Sequence, residues 1–175
     1  MMVAVRIMEN QLPQRKHPRL KEYDYSTAGG YFVTICTQDK KCVLSHIVGR
    51  GLAPAENRYT KYGRIAEEQL LQMEKRFPGI KVDQYLIMPN HIHIIFLIEE
   101  DTAGASPRPT VMDVVCAYKS LTTRACKRVQ PIKKLFQTSF YEHVIRGQAD
   151  YDEIAKYICE NPLRWELDKL YTEDL

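Results

Sequence analysis

Long apolar runs are missing from this 175-residue chain. The longest, Ile94 to Ile98, is strand-sized, whereas a bilayer span needs about 20 apolar residues. The opening stretch MMVAVRIMENQLPQRK has neither a signal-peptide apolar core nor a small-residue cleavage site, so secretion is not expected. Paired cysteines are missing too. Cys36, Cys42, Cys116, Cys126 and Cys159 are odd in number and form no CxxC. That argues against a disulfide framework and a cysteine-rich zinc site. The thiols are expected to be reduced and mostly apolar packing groups. Internal repeats and low-complexity tracts are absent. A soluble cytosolic protein without membrane contact is the expectation.

What is present suits a folded domain. Hydrophobic residues make up 45% and charged residues 27%, ordinary values for a globular chain. The length fits one domain with a terminal arm. Residues 1–25 are polar, carry the cluster RKHPRLK and read as a basic N-terminal arm; residues 26–175 read as a single catalytic-sized domain. The net charge is only +3, but it is unevenly laid out. Between Ala105 and Phe136 stand seven bases (Arg108, Lys119, Arg124, Lys127, Arg128, Lys133 and Lys134) and one acid, Asp113. From Tyr141 to Leu175 there are nine acids and four bases. A basic block in a near-neutral chain points to a polyanionic partner. A solvated helix face explains the same charges equally well.

Hydrophobic periodicity gives the element order. YFVTICT, Tyr31 to Thr37, follows Ala28-Gly29-Gly30 and reads as a strand. Residues 38–60 read as a loop region with a short strand near Cys42 to Leu44. Tyr62, Ala66, Leu70, Met73 and Phe77 recur at helical spacing, ended by Pro78-Gly79. KVDQYLIMP and HIHIIFLIEE form two strands joined at Pro89-Asn90, hence an antiparallel hairpin. Thr110 caps a second helix whose buried stripe is Val111, Val114, Val115, Tyr118, Leu121 and Ala125. SFYEHVIR is a further strand. Asp150 and Glu153 resemble a capping box opening a third helix, which Pro162 ends. Trp165 and Leu167 are expected to pack the tail back.

The order β-α-β-β-α-β-α begins with the split βαβ, ferredoxin-like arrangement. The predicted class is α+β: an antiparallel sheet with two helices on one face. The added C-terminal helix lies over part of the other face.

Three features carry chemistry. His91 and His93 are two apart on a strand, so both imidazoles leave the same face. That is half of a metal site, or simply two polar residues on a half-exposed strand. Tyr157 and Asn161 are four apart on the last helix and share its face. A phenol of pKa about 10 attacks phosphorus if a metal polarises the phosphate. An amide oxygen suits a hard cation. Eleven tyrosines are present; Tyr151 and Tyr118 lie nearby, and spacing does not choose among them. The basic block around Tyr118 suits a phosphate backbone with aromatic stacking on unpaired bases, or a solvated surface with one core tyrosine.

MPNHIHIIF, then FYEHVIR, then IAKYICENPLRWELDK resembles the REP-associated tyrosine transposases, IS200-like members of the HUH class of single-strand DNA endonucleases. RLKEYDYSTAGGYFVTICT is similar as well, so the resemblance covers roughly residues 15 to 170. It implies that His91 and His93 bind a divalent cation, magnesium or manganese, with Asn161 as third ligand and Tyr157 as nucleophile. The implied reaction is transesterification, leaving a 5′-phosphotyrosine and a free 3′-OH beside a hairpin in single-stranded DNA. Lys119, Arg124, Lys127, Arg128, Lys133 and Lys134 are the candidate DNA contacts. A monomer or a homodimer fits the resemblance, and His143 is expected to serve as a structural hydrogen-bond partner. One rival reading is a non-catalytic single-stranded nucleic-acid-binding module on the same sheet. It needs exposed aromatics on the sheet face, and no run of them is visible. The other is a zinc hydrolase, for which HExxH and a cysteine pair are lacking.

Overall fold

The computed structural model describes residues 23–49, 56–100 and 109–172. The basic arm expected at residues 1–25 lies outside them but for its last three residues.

Strands β1 (Gly29–Cys36), β4 (Ile80–Ile87), β5 (His91–Ile98) and β6 (Tyr141–Ile145) form an antiparallel sheet in the order β4-β5-β1-β6. This is the ferredoxin-like order read from the sequence. The expected loop region carries a separate two-stranded hairpin, β2 (Ser45–Val48) with β3 (Glu56–Tyr59). The strand forecast at Cys42 to Leu44 therefore starts one residue beyond Leu44. Leu44 is buried instead, and its backbone is committed elsewhere. Its N–H donates to Pro89 O at 3.0 Å, and its carbonyl accepts from Thr60 N at 2.9 Å.

Helix α1 (Lys61–Leu71) starts at Thr60, whose hydroxyl accepts from Tyr62 N and Gly63 N, a good N-cap. Gly63 has a steric reason. A Cβ there would sit 2.1 Å from the Leu44 carbonyl oxygen. The single helix expected as far as Phe77 divides at Gln72, and a one-turn α2 (Met73–Arg76) follows. Helix α3 (Val111–Val129) opens with a full capping box between Thr110 and Asp113. Beyond Tyr118 its buried stripe runs through Thr122 and Cys126 rather than Leu121 and Ala125. The i, i+4 row from Val114 stays on one face, which the sequence reading displaced by one residue.

Helix α4 (Gln148–Glu160) is capped by Gly147 at φ 88°, a backbone state that favours glycine. No capping box forms. Asp150 turns outward from that role, accepting from Arg146 N at 2.7 Å and pairing with His143 Nε2 at 2.9 Å. His143 thus has the structural partner expected of it. Asn161 keeps αR backbone angles before Pro162, and a 3-10 segment, Asn161–Leu167, continues the chain. Proline is accommodated at its first turn because no N–H is needed there. Trp165 is buried, but Leu167 is 85% exposed and does not pack back.

Alternation along β5 divides the protein into layers. Ile92, Ile94 and Phe96 are fully buried in the core shared with α1 and α3. Burying each stabilises the fold by roughly 1.5–3 kcal/mol. His91 and His93 leave the opposite face, over which α4 and the tail lie. No helix among the described residues is long and apolar enough to cross a membrane.

Candidate active site

His91 and His93 are both buried, at 0% and 2% exposure. Their Nε2 atoms stand 3.0 Å apart. Each outer nitrogen has a partner. Asn90 donates its Nδ2 to the carbonyls of Lys40 and Leu170, so its Oδ1, 2.8 Å from His91 Nδ1, must accept. His91 Nδ1 therefore carries the ring proton, and Nε2 presents a lone pair. Thr34 lies directly opposite His93 across the sheet. Its hydroxyl is 2.9 Å from His93 Nδ1 and can donate or accept, so it serves either tautomer. Burial pushes His91 down to about 3, with Lys40 adding to the effect. Burial, and next the neighbouring His91, hold His93 well below its ordinary value. Both rings are neutral at neutral pH.

Helix α4 brings Tyr157 over this pair. Its ring centroid is 5.2 Å from that of His93 and 6.4 Å from that of Phe32. Trp165 covers His91 at 5.8 Å. Asn161 sits one turn beyond Tyr157, as its spacing predicts. Asp168 ties the two together. Its Oδ2 accepts from the Tyr157 hydroxyl at 3.1 Å and from Asn161 Nδ2 at 2.6 Å, and its Oδ1 accepts from Leu170 N at 2.6 Å. A carboxylate only accepts, so the Asn161 NH2 faces Asp168 and Oδ1 points away. That oxygen is buried and has no hydrogen-bond partner. Burial, then the Asp168 charge and hydrogen bond, push the Tyr157 phenol up to about 12.

The donor set fits a divalent cation. His91, His93 and Asp168 place ligand atoms within 4.8 Å of one another. Neighbouring donors around an octahedral ion at about 2.1 Å lie about 3.0 Å apart, which is the imidazole spacing found here. The orphaned Asn161 oxygen is an unused hard donor. Asp168 adds the negative charge that two imidazoles and an amide lack.

Tyr157, Asn161 and Asp168 open onto a groove of about 530 Å³ edged by Lys156, Arg164 and Lys169. Tyr151, the other tyrosine of α4, turns elsewhere and donates to Asp83 at 2.6 Å. Tyr118 is fully buried in the core. The structure thus separates three tyrosines that spacing left equivalent. The basic residues divide as well. Lys119, Arg124, Lys127 and Lys134 line a second groove of about 500 Å³ beside Gln137 and Thr138. Arg128 and Lys133 do not line it. This groove runs along α3, whose layer lies across the sheet from the imidazoles.

Sequence reasoning missed Asp168, Asn90, Thr34 and Phe32. The last three had signals: Asn90 precedes the first histidine, and Thr34 and Phe32 alternate on the first strand's open face. Asp168 is eleven residues beyond Tyr157 in an irregular tail, where no periodicity marks it.

Comparison with known proteins bears on the fold and on sequence similarity. No protein-family model matches the chain. An uncharacterized protein of Haemophilus influenzae is 30% identical over 174 residues, covering 91% of this chain and 94% of that protein. A REP-associated tyrosine transposase of Escherichia coli is 29% identical over 90 residues, 51% of this chain and 48% of that protein. The solved structure of a REP-associated tyrosine transposase bound to a REP hairpin has the same fold. Its TM-score is 0.58 at 22% identity, covering 86% of this chain and 77% of that one. The chain is thus similar to REP-associated tyrosine transposases over half of its sequence and in its fold. The stretch matched in the Escherichia coli transposase is about half of that protein's length. The fold common to this chain and the solved transposase is the mixed α+β arrangement with the antiparallel sheet described above.

Proposed function

We propose that this protein is a REP-associated tyrosine transposase that cleaves and rejoins single-stranded DNA through Tyr157. One observation carries the reading: the Tyr157 ring stands over the His91–His93 pair within a single chain, and its hydroxyl shares Asp168 with Asn161. That the candidate nucleophile and candidate ligands lie together in one chain supports the reading.

His91, His93 and the free Oδ1 of Asn161 would hold magnesium or manganese, with Asp168 supplying charge. When bound, the cation supplies Lewis-acid polarisation of the scissile phosphate and stabilises the leaving oxygen. The protein's own groups do the rest. Asn90 fixes the His91 tautomer so that Nε2 faces inward. Trp165 and Phe32 exclude water from the imidazoles. Asp168 Oδ2 orients the phenol and is the nearest acceptor for its proton. The phenolic oxygen then forms a bond to phosphorus as the bond to the 3′-oxygen breaks. The leaving 3′-oxygen takes up a proton from solvent, so a 5′-phosphotyrosine and a 3′-hydroxyl remain. A later 3′-hydroxyl reverses the step, and no phosphodiester energy is lost.

The hairpin-flanking target rests on the relative seen bound to a REP hairpin and on the family resemblance. The grooves beside Tyr157 and along α3 both carry Lys and Arg side chains, which suit a phosphate backbone. The test is a denaturing gel of the full chain with labelled single-stranded hairpins and manganese. A covalent band is expected from the wild type and not from Tyr157→Phe. A non-catalytic binder would retain the DNA without any covalent band.

A further inference from the structure

The face of the sheet that carries the imidazoles is only partly covered. Helix α4 lies over its β4 side, through Tyr151 on Asp83 and Gln84 on Cys159. Among the described residues the β6 side is open. There Tyr141 is 56% exposed. Its direction follows from the register: Tyr141 pairs with Thr34, and Thr34 pairs with His93. Residues directly opposite in an antiparallel ladder leave the same face. Tyr141 therefore stands in the same cross-strand row as His93, two strands away, or about 10 Å. Phe32, diagonal to Tyr141 and only partly buried, fills the interval beside Tyr157.

The approach to Tyr141 is basic. Lys119 Nζ donates to Thr138 O at 2.7 Å and Lys134 Nζ to Thr138 Oγ1 at 2.8 Å, three residues before it. Lys119 also lies 5.8 Å from the Phe140 ring. Both lysines line the α3 groove, and β6 is the edge strand of the four-stranded sheet. A strand of DNA rounding that edge would meet two ammonium groups, then an exposed ring, then Tyr157.

We propose that Tyr141 is a stacking platform for an unpaired base of the single strand whose phosphate lies at Tyr157. This rests on the reading of the chain as a single-strand DNA enzyme. The occupant is a nucleobase rather than an apolar peptide because the platform lies between cationic side chains and a phosphate-sized reaction site. A base offers a π-face and a phosphate at each step, and stacking on an aromatic side chain is tolerant of sequence. The neighbouring His143 is held by Asp150 and leaves the ring of Tyr141 as the free aromatic at this edge.

The test compares two fluorescein-labelled 12-mers, oligothymidylate and an abasic chain with the same phosphates, by anisotropy at fixed salt on the full chain. Tyr141→Ala should weaken the oligothymidylate on the order of ten-fold or more, as expected for one lost stack. It should leave the abasic chain unchanged. Tyr141→Phe and Tyr141→Trp should bind as the wild type does. Equal affinity of wild type and Tyr141→Ala for oligothymidylate overturns the proposal, as does equal weakening of both probes. The covalent-adduct gel keeps this separate from the catalytic reading. An adduct from wild type with no effect of Tyr141→Ala sinks the platform alone. A base-dependent effect of Tyr141→Ala with no adduct sinks the catalysis alone.

Discussion

The Nε2 atoms of His91 and His93 face each other at 3.0 Å, on a strand whose other face is core. Two buried lone pairs at that distance repel unless a proton or a cation lies between them. The protein keeps both rings neutral, and their outer nitrogens are already bonded to Asn90 and Thr34. A His93 Nε2–H donated to His91 Nε2 satisfies the pair in one tautomer that Thr34 allows, and in the other the two lone pairs can receive a cation.

Cation binding should therefore stabilise the fold. Any ligand that binds only the native state adds about 2.7 kcal/mol at a hundred times its dissociation constant. Manganese or magnesium should raise the melting temperature of the wild type in calorimetry. The double variant His91→Ala, His93→Ala should show no rise. An equal rise in both would place the ion elsewhere.

Acid should act in the opposite sense. His91 titrates near 3 in the folded chain and His93 well below its ordinary value, against about 6.5 unfolded. The unfolded chain thus binds more protons across that window. The histidines' contribution is fully present above pH 6.5 and is lost as pH falls toward 3. Melting temperature measured from pH 7 to pH 4.5 should drop, and the drop should shrink in His93→Asn. A drop of equal size in that variant would mean that other groups control it.

The sheet and its layers were legible in the sequence because YFVTICT is rich in β-branched and aromatic residues and His91-Ile92-His93-Ile94 alternates polar with apolar. The Thr110 cap and the Tyr157–Asn161 spacing were legible for the same local reason. What escaped was non-local. Asp168 reaches the site from an irregular tail through hydrogen bonds from Tyr157 and Asn161. The hairpin of Ser45–Val48 with Glu56–Tyr59 is short and closes by pairing rather than by hydrophobic pattern. Asp150 had the composition of a capping box, but Gly147 made the cap and His143 took the carboxylate.

Asp168 is the residue whose removal separates its roles most clearly. Its charge and hydrogen bond help hold the Tyr157 phenol at about 12. Asp168→Asn should lower that pKa, read by NMR of ring-labelled tyrosine with Tyr157→Phe as the assignment control. It should also weaken the manganese-induced stabilisation. A phenol that does not move would show that burial alone sets its value.

Gly63 is set by packing rather than chemistry. A Cβ would meet the Leu44 carbonyl at 2.1 Å, and backbone cannot rotate aside as a side chain can. Gly63→Ala should destabilise by about 1–3 kcal/mol, seen as a lower urea midpoint. An unchanged midpoint would mean that α1 sits farther from Leu44 in solution.

The central claim is that Tyr157 becomes bonded to DNA. Digestion of the covalent product, followed by tandem mass spectrometry, tests it most directly. The account predicts a nucleotide mass on the phenolic oxygen of Tyr157, in the peptide containing IAKYICENP. A nucleotide on Tyr151 or Tyr141 instead, or a covalent product that survives in Tyr157→Phe, would contradict it.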